Sequence, residues 1–268
     1  MTAKKIRSCF MANGMYLKAN GELPCWDDVG EDKILRKLDP VALARGEEVE
    51  LNSYQALTHI RQSFSDGEYP YPDLCRNCAV HDACAPITEV FPKKLQVLHV
   101  EPSFLCHLNC PLCIPRKLRK KIKEPPYHLS AEMFEGFLRQ LRNERVDQIE
   151  LIVFEGRGDP LTAPEMEALV SLAKKYYPSS NTCITTHGSF PPKSWIAYSG
   201  LDVLRFSVDG AVQESLSKYR VGGKMDKILT FMRHVNETRK EAKSSLYIEW
   251  KYLLFELLPI RWTGFGVN

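Results

Sequence analysis

The sequence lacks several things that would settle its class at once. It has no run of 18 apolar residues, so no membrane span is expected. Its basic start, Met1-Thr2-Ala3-Lys4-Lys5-Ile6-Arg7, has no apolar segment of the kind that makes a secretory signal. Net charge is only +3, too little by itself to argue for a nucleic-acid partner. It has no internal repeat and no long low-complexity tract. What remains is ordinary for a globular protein: 268 residues, 44% apolar and 26% charged, enough for one large domain or two smaller ones.

The cysteines are not ordinary. Nine of them would suit a disulfide scaffold only in a much shorter secreted chain. Here they cluster as Cys9, Cys25, Cys75, Cys78 and Cys84, then Cys106, Cys110 and Cys113, with Cys183 alone. Clustered cysteines without a signal sequence point to metal in a reducing cytoplasm. The sharpest signal is Cys106-His107-Leu108-Asn109-Cys110-Pro111-Leu112-Cys113, just after a strand-like run. Three thiolates at this spacing can hold three corners of a 4Fe-4S cluster and leave one iron open to a small molecule.

Residues 1–92 read as irregular. Residues 95–255 alternate strands and helices, with strand-like runs at 95–101, 148–154, 181–186, 202–208 and 245–255. Ser130 caps a helix with Met133, Phe134, Phe137, Leu138 and Leu141 on one face. Thr162-Ala163-Pro164-Glu165 reads as a capping box for the next helix, and a third long helix covers 225–242. Repeated βα units predict an α/β fold with a parallel sheet, right-handed crossovers and a site at the C-terminal strand ends. Residues 86–92 look like a linker between a module at 1–92 and a core at 93–268. The basic run 116–123 reads as a solvated loop, or as a docking surface for an anionic substrate or a reductant.

In this setting the triad resembles the radical S-adenosylmethionine (radical SAM) superfamily. Four further stations follow in that superfamily's order: Glu155-Gly156-Arg157-Gly158-Asp159-Pro160-Leu161, Thr185-Thr186-His187-Gly188, Ser207-Val208-Asp209-Gly210 and Tyr219-Arg220-Val221-Gly222-Gly223. In isolation these would be a turn, strand ends and a surface arginine; their joint order carries the likeness. Arg157 stands where glycine is frequent, Asp159 where glutamate is, Leu112 where an aromatic is, and His187 where asparagine is. The resemblance implies a partial (β/α)6-type barrel, a 4Fe-4S cluster on Cys106, Cys110 and Cys113, and bound S-adenosylmethionine. It implies that Gly158 lets backbone approach the methionyl end, that Asp159 accepts from its ammonium group and that Arg220 pairs with its carboxylate. Ser207 and Asp209 would bond ribose hydroxyls or the methionyl end. Cys183 reads as a buried small hydrophobe, with hydrogen-atom donor as the lesser alternative.

The first cysteine group, with Gly21, Ile60-Arg61 and Gly67, resembles the SPASM or twitch module of such enzymes, which holds an auxiliary 4Fe-4S cluster. The implied ligands are Cys9, Cys25, Cys75 and Cys78, with Cys84 as spare or substitute. A zinc site on the same thiolates, with His81 as a further donor, is the alternative. After residue 255 no convincing βα unit follows, so the barrel is expected to lack its last unit and to expose an edge at 246–255. The function expected is hydrogen abstraction from a small polar molecule such as a sugar or aminocyclitol, or from a peptide. Flavodoxin or ferredoxin would supply electrons, in the cytoplasm. The alternative is a non-catalytic, truncated iron–sulfur or zinc protein used for electron transfer or binding.

Overall fold

The computed structural model describes residues 8–9, 11–25, 33–76, 78, 81–84, 89–111, 113 and 126–253. In chain order the elements are β1 (Ser8–Cys9), β2 (Gly14–Leu17), β3 (Glu22–Cys25), β4 (Lys33–Lys37), α1 (Pro40–Arg45), α2 (Gln55–Ser65), α3 (Pro72–Cys75), β5 (His81–Cys84) and β6 (Lys94–Val100). Then come α4 (Ala131–Asn143), β7 (Gln148–Phe154), a 3-10 turn (Pro160–Thr162), α5 (Met166–Tyr176), β8 (Asn181–Thr186), α6 (Trp195–Tyr198), β9 (Val203–Ser207), α7 (Gln213–Tyr219), α8 (Met225–Glu241) and β10 (Tyr247–Lys251). No helix among the described residues is long and apolar enough to cross a membrane.

Six strands make one sheet in the order β10-β9-β8-β7-β6-β2, and every pair is parallel. From β6 onward, chain order and spatial order coincide, and helices fill the crossovers, as in a singly wound partial barrel. Central strands of such a sheet are covered over much of both faces and read as nearly continuous apolar runs. The second halves of β7, Leu-Ile-Val-Phe, and of β6, Val-Leu-His-Val, approach such runs. Leu98, Val100, Ile152, Phe154, Ile184, Leu204 and Phe206 meet the apolar sides of α4, α5 and α8 in one large core. Val97, Val153 and Cys183, with Val203 against them, form a small separate cluster on the opposite face.

Local signals explain most helix starts. The Ser130 hydroxyl accepts from Met133 N at 3.2 Å and caps α4 as expected. The expected capping box at Thr162–Glu165 does not form. Thr162 Oγ1 donates instead toward Ser103 Oγ (2.7 Å) and Asp159 O (2.7 Å), and Glu165 Oε2 accepts from Ala131 N at 2.9 Å. Tertiary partners outcompete the local cap, and α5 begins at Met166.

The first 92 residues are not irregular and have no core of their own among the described residues. β2 joins the sheet beside β6, with Met15 opposite Leu98 and Tyr16 opposite His99. Met11, Met15, Leu17, Leu23, Leu43, Leu57, Ile60 and Phe64 share the core of the later strands. Polar stitches reinforce this. Arg61, wholly buried, donates to Ala12 O (3.2 Å), Asn52 O (2.8 Å) and Val90 O (3.2 Å). Glu144, just past α4, accepts from Leu51 N (2.6 Å) and Ser53 N (2.8 Å). The expected boundary near residue 92 therefore does not divide two cores. Among the described residues the sheet's sixth strand is β2, at the β6 edge. The expectation that 256–268 stay out of the sheet falls outside the described residues.

Arg61→Met is expected to destabilise the protein by about 3 kcal/mol, because three buried carbonyls lose their donor. Urea unfolding measures this, and a loss under about 1 kcal/mol would show that the stitch is dispensable.

Candidate functional site

The loops that follow β6, β7, β8 and β9 gather at the C-terminal end of the sheet. The cysteine loop follows β6. Cys110 is buried, while Cys106 and Cys113 are half-buried. Cys106 Sγ accepts from Leu108 N at 3.4 Å, Cys113 N donates to Cys110 O at 3.2 Å, and Asn109 N donates to Val221 O at 2.8 Å. The last of these ties the loop to the segment after α7.

That segment carries Arg220. Its Nε donates to Asp209 Oδ2 at 2.6 Å, and the wholly buried Asp209 also accepts from Leu253 N at 2.9 Å. Burial works against the Arg220 charge, but Asp209 and Cys110 outweigh it and raise its pKa. Burial pushes the Tyr219 hydroxyl up, and the nearby Cys110 and Cys113 add to the rise. Thus Cys110, Cys113, Arg220 and Asp209 are electrostatic neighbours. Ser207, nearly buried at the end of β9, lies two residues before Asp209.

Gly158 and Asp159 differ from expectation. A Cβ at Gly158 would lie 2.1 Å from Ser103 O and 2.7 Å from Leu105 N, so the close approach is to the protein's own backbone. The buried Asp159 carboxylate accepts from Leu161 N (3.0 Å), Thr186 Oγ1 (2.9 and 3.0 Å) and His187 N (2.8 Å). Burial pushes it up to about 6 despite those bonds. Its acceptor positions serve the end of β8, which leaves the expected ammonium contact without support. Asp209 is likewise committed to Arg220 and Leu253.

Cys183 and the motif residues Glu155, Arg157 and Thr185 lie here with neighbours that the sequence analysis did not single out, among them Tyr16, His99, Arg205 and Glu249. On the sheet face opposite the main core, register sets Tyr16, His99, Val153, Cys183 and Val203 in one row. One step toward the C-terminal ends, Thr185, Arg205 and Glu249 stand side by side. Tyr16 Oη donates to Glu101 Oε2 at 3.1 Å, Arg157 N donates to Glu101 Oε1, and Arg205 Nε donates to Glu249 Oε1 at 3.0 Å. Glu155, Arg205 and Glu249 are each about a third exposed, at 30%, 29% and 34%. Burial pushes the Cys183 thiol up to about 11, so it stays protonated. Strand alternation in 95–101 and 202–208 was the available signal for this polar row.

The N-terminal thiols form a second grouping. Cys9, Cys25 and Cys75 are buried and Cys78 is half-buried. Burial pushes Cys9 and Cys25 each up to about 12, and Cys75 and Cys78 raise both further by repulsion; Cys25 feels Cys9 as well. Lys33 pulls Cys25 and Cys75 the other way. The fold therefore brings together four thiols from β1, β3 and the α3 region. The Cys84 backbone pairs beside β1, opposite Ser8, and His81 stands opposite Cys9. Among the described residues no group of three or more His, Cys, Asp or Glu is closed to a metal-holding arrangement. The donor chemistry of both thiol sets nevertheless fits a soft metal, for which thiolate sulfur is a preferred ligand.

No protein-family model matches the chain, and no curated protein matches it. Solved structures give partial likenesses. BtrN in complex with AdoMet and 2-DOIA is 15% identical with a TM-score of 0.39, over 58% of this chain and 56% of that one. TYW1 with a lysine-pyruvate adduct bound is 16% identical with a TM-score of 0.35, over 62% and 64%. Methylornithine synthase (PylB) is 14% identical with a TM-score of 0.41, over 79% and 57%. The match thus spans between 56% and 64% of these chains' own lengths. Likenesses this slight leave the assignment to the chain's own residues.

Burial pushes Glu101 up to about 7, only partly opposed by the Arg157 N–H, the Lys18 charge and the Tyr16 hydroxyl. The folded state then keeps a proton that the unfolded chain releases near 4.5. The stability tied to that proton is complete below about pH 4.5 and is lost as pH rises through about 7. Glu101→Gln keeps a neutral side chain at every pH. Wild-type stability relative to this variant should fall by up to about 3 kcal/mol between pH 4.5 and 7 and then level off. Urea midpoints across that range provide the measurement; a constant difference contradicts the assignment.

Proposed function

We propose that this protein is a radical SAM enzyme with an auxiliary iron–sulfur centre. The observation that carries the reading is the cysteine triad after β6, at the C-terminal end of a parallel sheet, with Arg220 set against Cys110 from the far side. Cys106, Cys110 and Cys113 would hold a 4Fe-4S cluster. When bound, that cluster and S-adenosylmethionine supply one-electron cleavage to a 5′-deoxyadenosyl radical, which takes hydrogen from a substrate.

The chain's own residues bind and orient. Asp209 fixes the Arg220 guanidinium through Nε, and the fork has two Nη groups besides, which suit the methionyl carboxylate. Asp209 acts here by holding Arg220. Ser207 would meet a ribose hydroxyl. Gly158 and Asp159 support the loops around the site. The part-exposed Glu155, Arg205 and Glu249 favour a small polar substrate over a peptide. Cys9, Cys25, Cys75 and Cys78 would hold the auxiliary cluster in a twitch-like manner. The four-thiol grouping supports this choice of ligands. A flavodoxin or ferredoxin in the cytoplasm is the proposed electron donor.

Anaerobically purified protein is expected to be brown and to hold about eight irons, as two four-iron clusters require. Replacing Cys106, Cys110 and Cys113 by alanine should halve the iron and abolish release of 5′-deoxyadenosine. Zinc with about four irons would reassign the N-terminal group. Iron that the triple variant leaves unchanged would sink the reading of the triad.

Arg220→Ala should weaken S-adenosylmethionine binding about ten-fold or more, with iron content intact, because a charge-assisted bond is lost. Equilibrium binding to the anaerobic protein checks this; unchanged affinity removes Arg220 from the site.

A further inference from the structure

The three residues between Cys106 and Cys110 are each engaged by the protein. Leu108 is buried, and a Cβ at Gly222 would stand 3.5 Å from its Cδ2. Asn109 N reaches Val221 O at 2.8 Å. The exposed His107 does something different. Its ring meets two rings from the segment after β8, His187 at 4.4 Å and Phe190 at 4.9 Å between centroids, both at right angles. His187 and Phe190 are stacked on each other at 4.7 Å and 18°. They form a shelf, and the His107 ring stands against it edge to face.

The shelf is fixed from below. Asp159 accepts from His187 N at 2.8 Å and lies 3.3 Å from His187 Nε2. Ser189 N donates to His187 Nδ1 at 3.0 Å, which places the ring proton of neutral His187 on Nε2, a buried atom with no hydrogen-bond partner among the described residues. The Ser189 hydroxyl in turn accepts from Lys224 N at 3.0 Å. His187 therefore has little freedom to turn.

We propose that His107 is a positioning residue: its ring, seated on the His187–Phe190 shelf, fixes the conformation of the loop that presents Cys106 and Cys110. This rests on the reading that those cysteines hold a cluster. Edge-to-face pairs are favourable beyond their buried area, and two of them act here on one short loop. The ring's shape carries the effect, so phenylalanine should replace histidine and alanine should not.

The test uses full-length protein, reconstituted anaerobically, with His107→Ala and His107→Phe. Position 107 is exposed, so both variants should fold. Iron release to a chelator and the electron paramagnetic resonance spectrum of the reduced protein, with and without S-adenosylmethionine, are the readouts. The triad's half of the iron should leave about ten-fold faster in His107→Ala, with a broadened spectrum, while His107→Phe behaves as wild type. Iron held by the N-terminal thiols serves as the internal control and should not change. Equal release and identical spectra in His107→Ala and wild type would overturn the positioning role and leave the cluster assignment standing. His107→Phe as labile as His107→Ala would also overturn it, since ring packing would then not be the cause. Wild-type protein that takes up no iron at the triad would remove the underlying reading as well.

Discussion

The C-terminal edge of this sheet depends on one buried carboxylate. Asp159 binds Leu161 N in its own turn and binds the hydroxyl of Thr186 and the amide of His187 at the end of β8. Its neighbour Gly158 lies against the backbone of 103–105, which leads into the cysteine loop. One short segment thus joins the loops after β6, β7 and β8. A buried carboxylate is tolerable only when its oxygens are satisfied, and Asp159 accepts several hydrogen bonds. Removing one donor would leave the others misplaced, which is how such a network specifies a single loop arrangement.

Glu101 plays a comparable part on the other side of β6. It takes a hydroxyl from β2 and an amide from the loop after β7, and a Cβ at Gly156 would lie 2.5 Å from its side chain. The N-terminal strand is therefore tied into the site as well as paired in the sheet. Burial raises both acids, Glu101 to about 7 and Asp159 to about 6, so the two supports of the site are less charged than ordinary carboxylates. Arg220 has its partner in the fold in Asp209 instead.

Several strands were legible because apolar and β-branched residues cluster in them. The run at 148–154 is β7 and the run at 181–186 is β8, residue for residue. Ser130 caps its helix as read. β2 was not legible: four residues, Gly-Met-Tyr-Leu, carry no periodicity, and their partner β6 lies about eighty residues on. The capping box at 162–165 failed for a related reason, since Ser103 and Ala131, distant in sequence, bind its side chains. In the candidate site, the structure sets Arg220 near Cys110, two residues that the order of the motifs had singled out. The contacts of Gly158 with 103–105 and of Asp159 with the end of β8 join segments distant in sequence, which a motif does not show. His107 went unnoticed because a spacer between cysteines has no pattern of its own.

The two thiol groups are built differently, and the difference bears on what each can hold. In the N-terminal group burial raises the pKa of Cys9, Cys25 and Cys75 and neighbouring thiols add to it, with Lys33 as the cation that opposes the rise at Cys25 and Cys75. Four thiolates there need positive charge from outside the fold, which a metal centre with all its ligands from protein would provide. In the triad, Arg220 stands beside Cys110 but is already bonded to Asp209, and Cys106 and Cys113 are half-buried rather than sealed. Three thiols, an anchored guanidinium and an opening to solvent suit a centre that must also admit a second molecule. Four protein thiols can close the coordination of a centre, whereas three leave a position for another ligand.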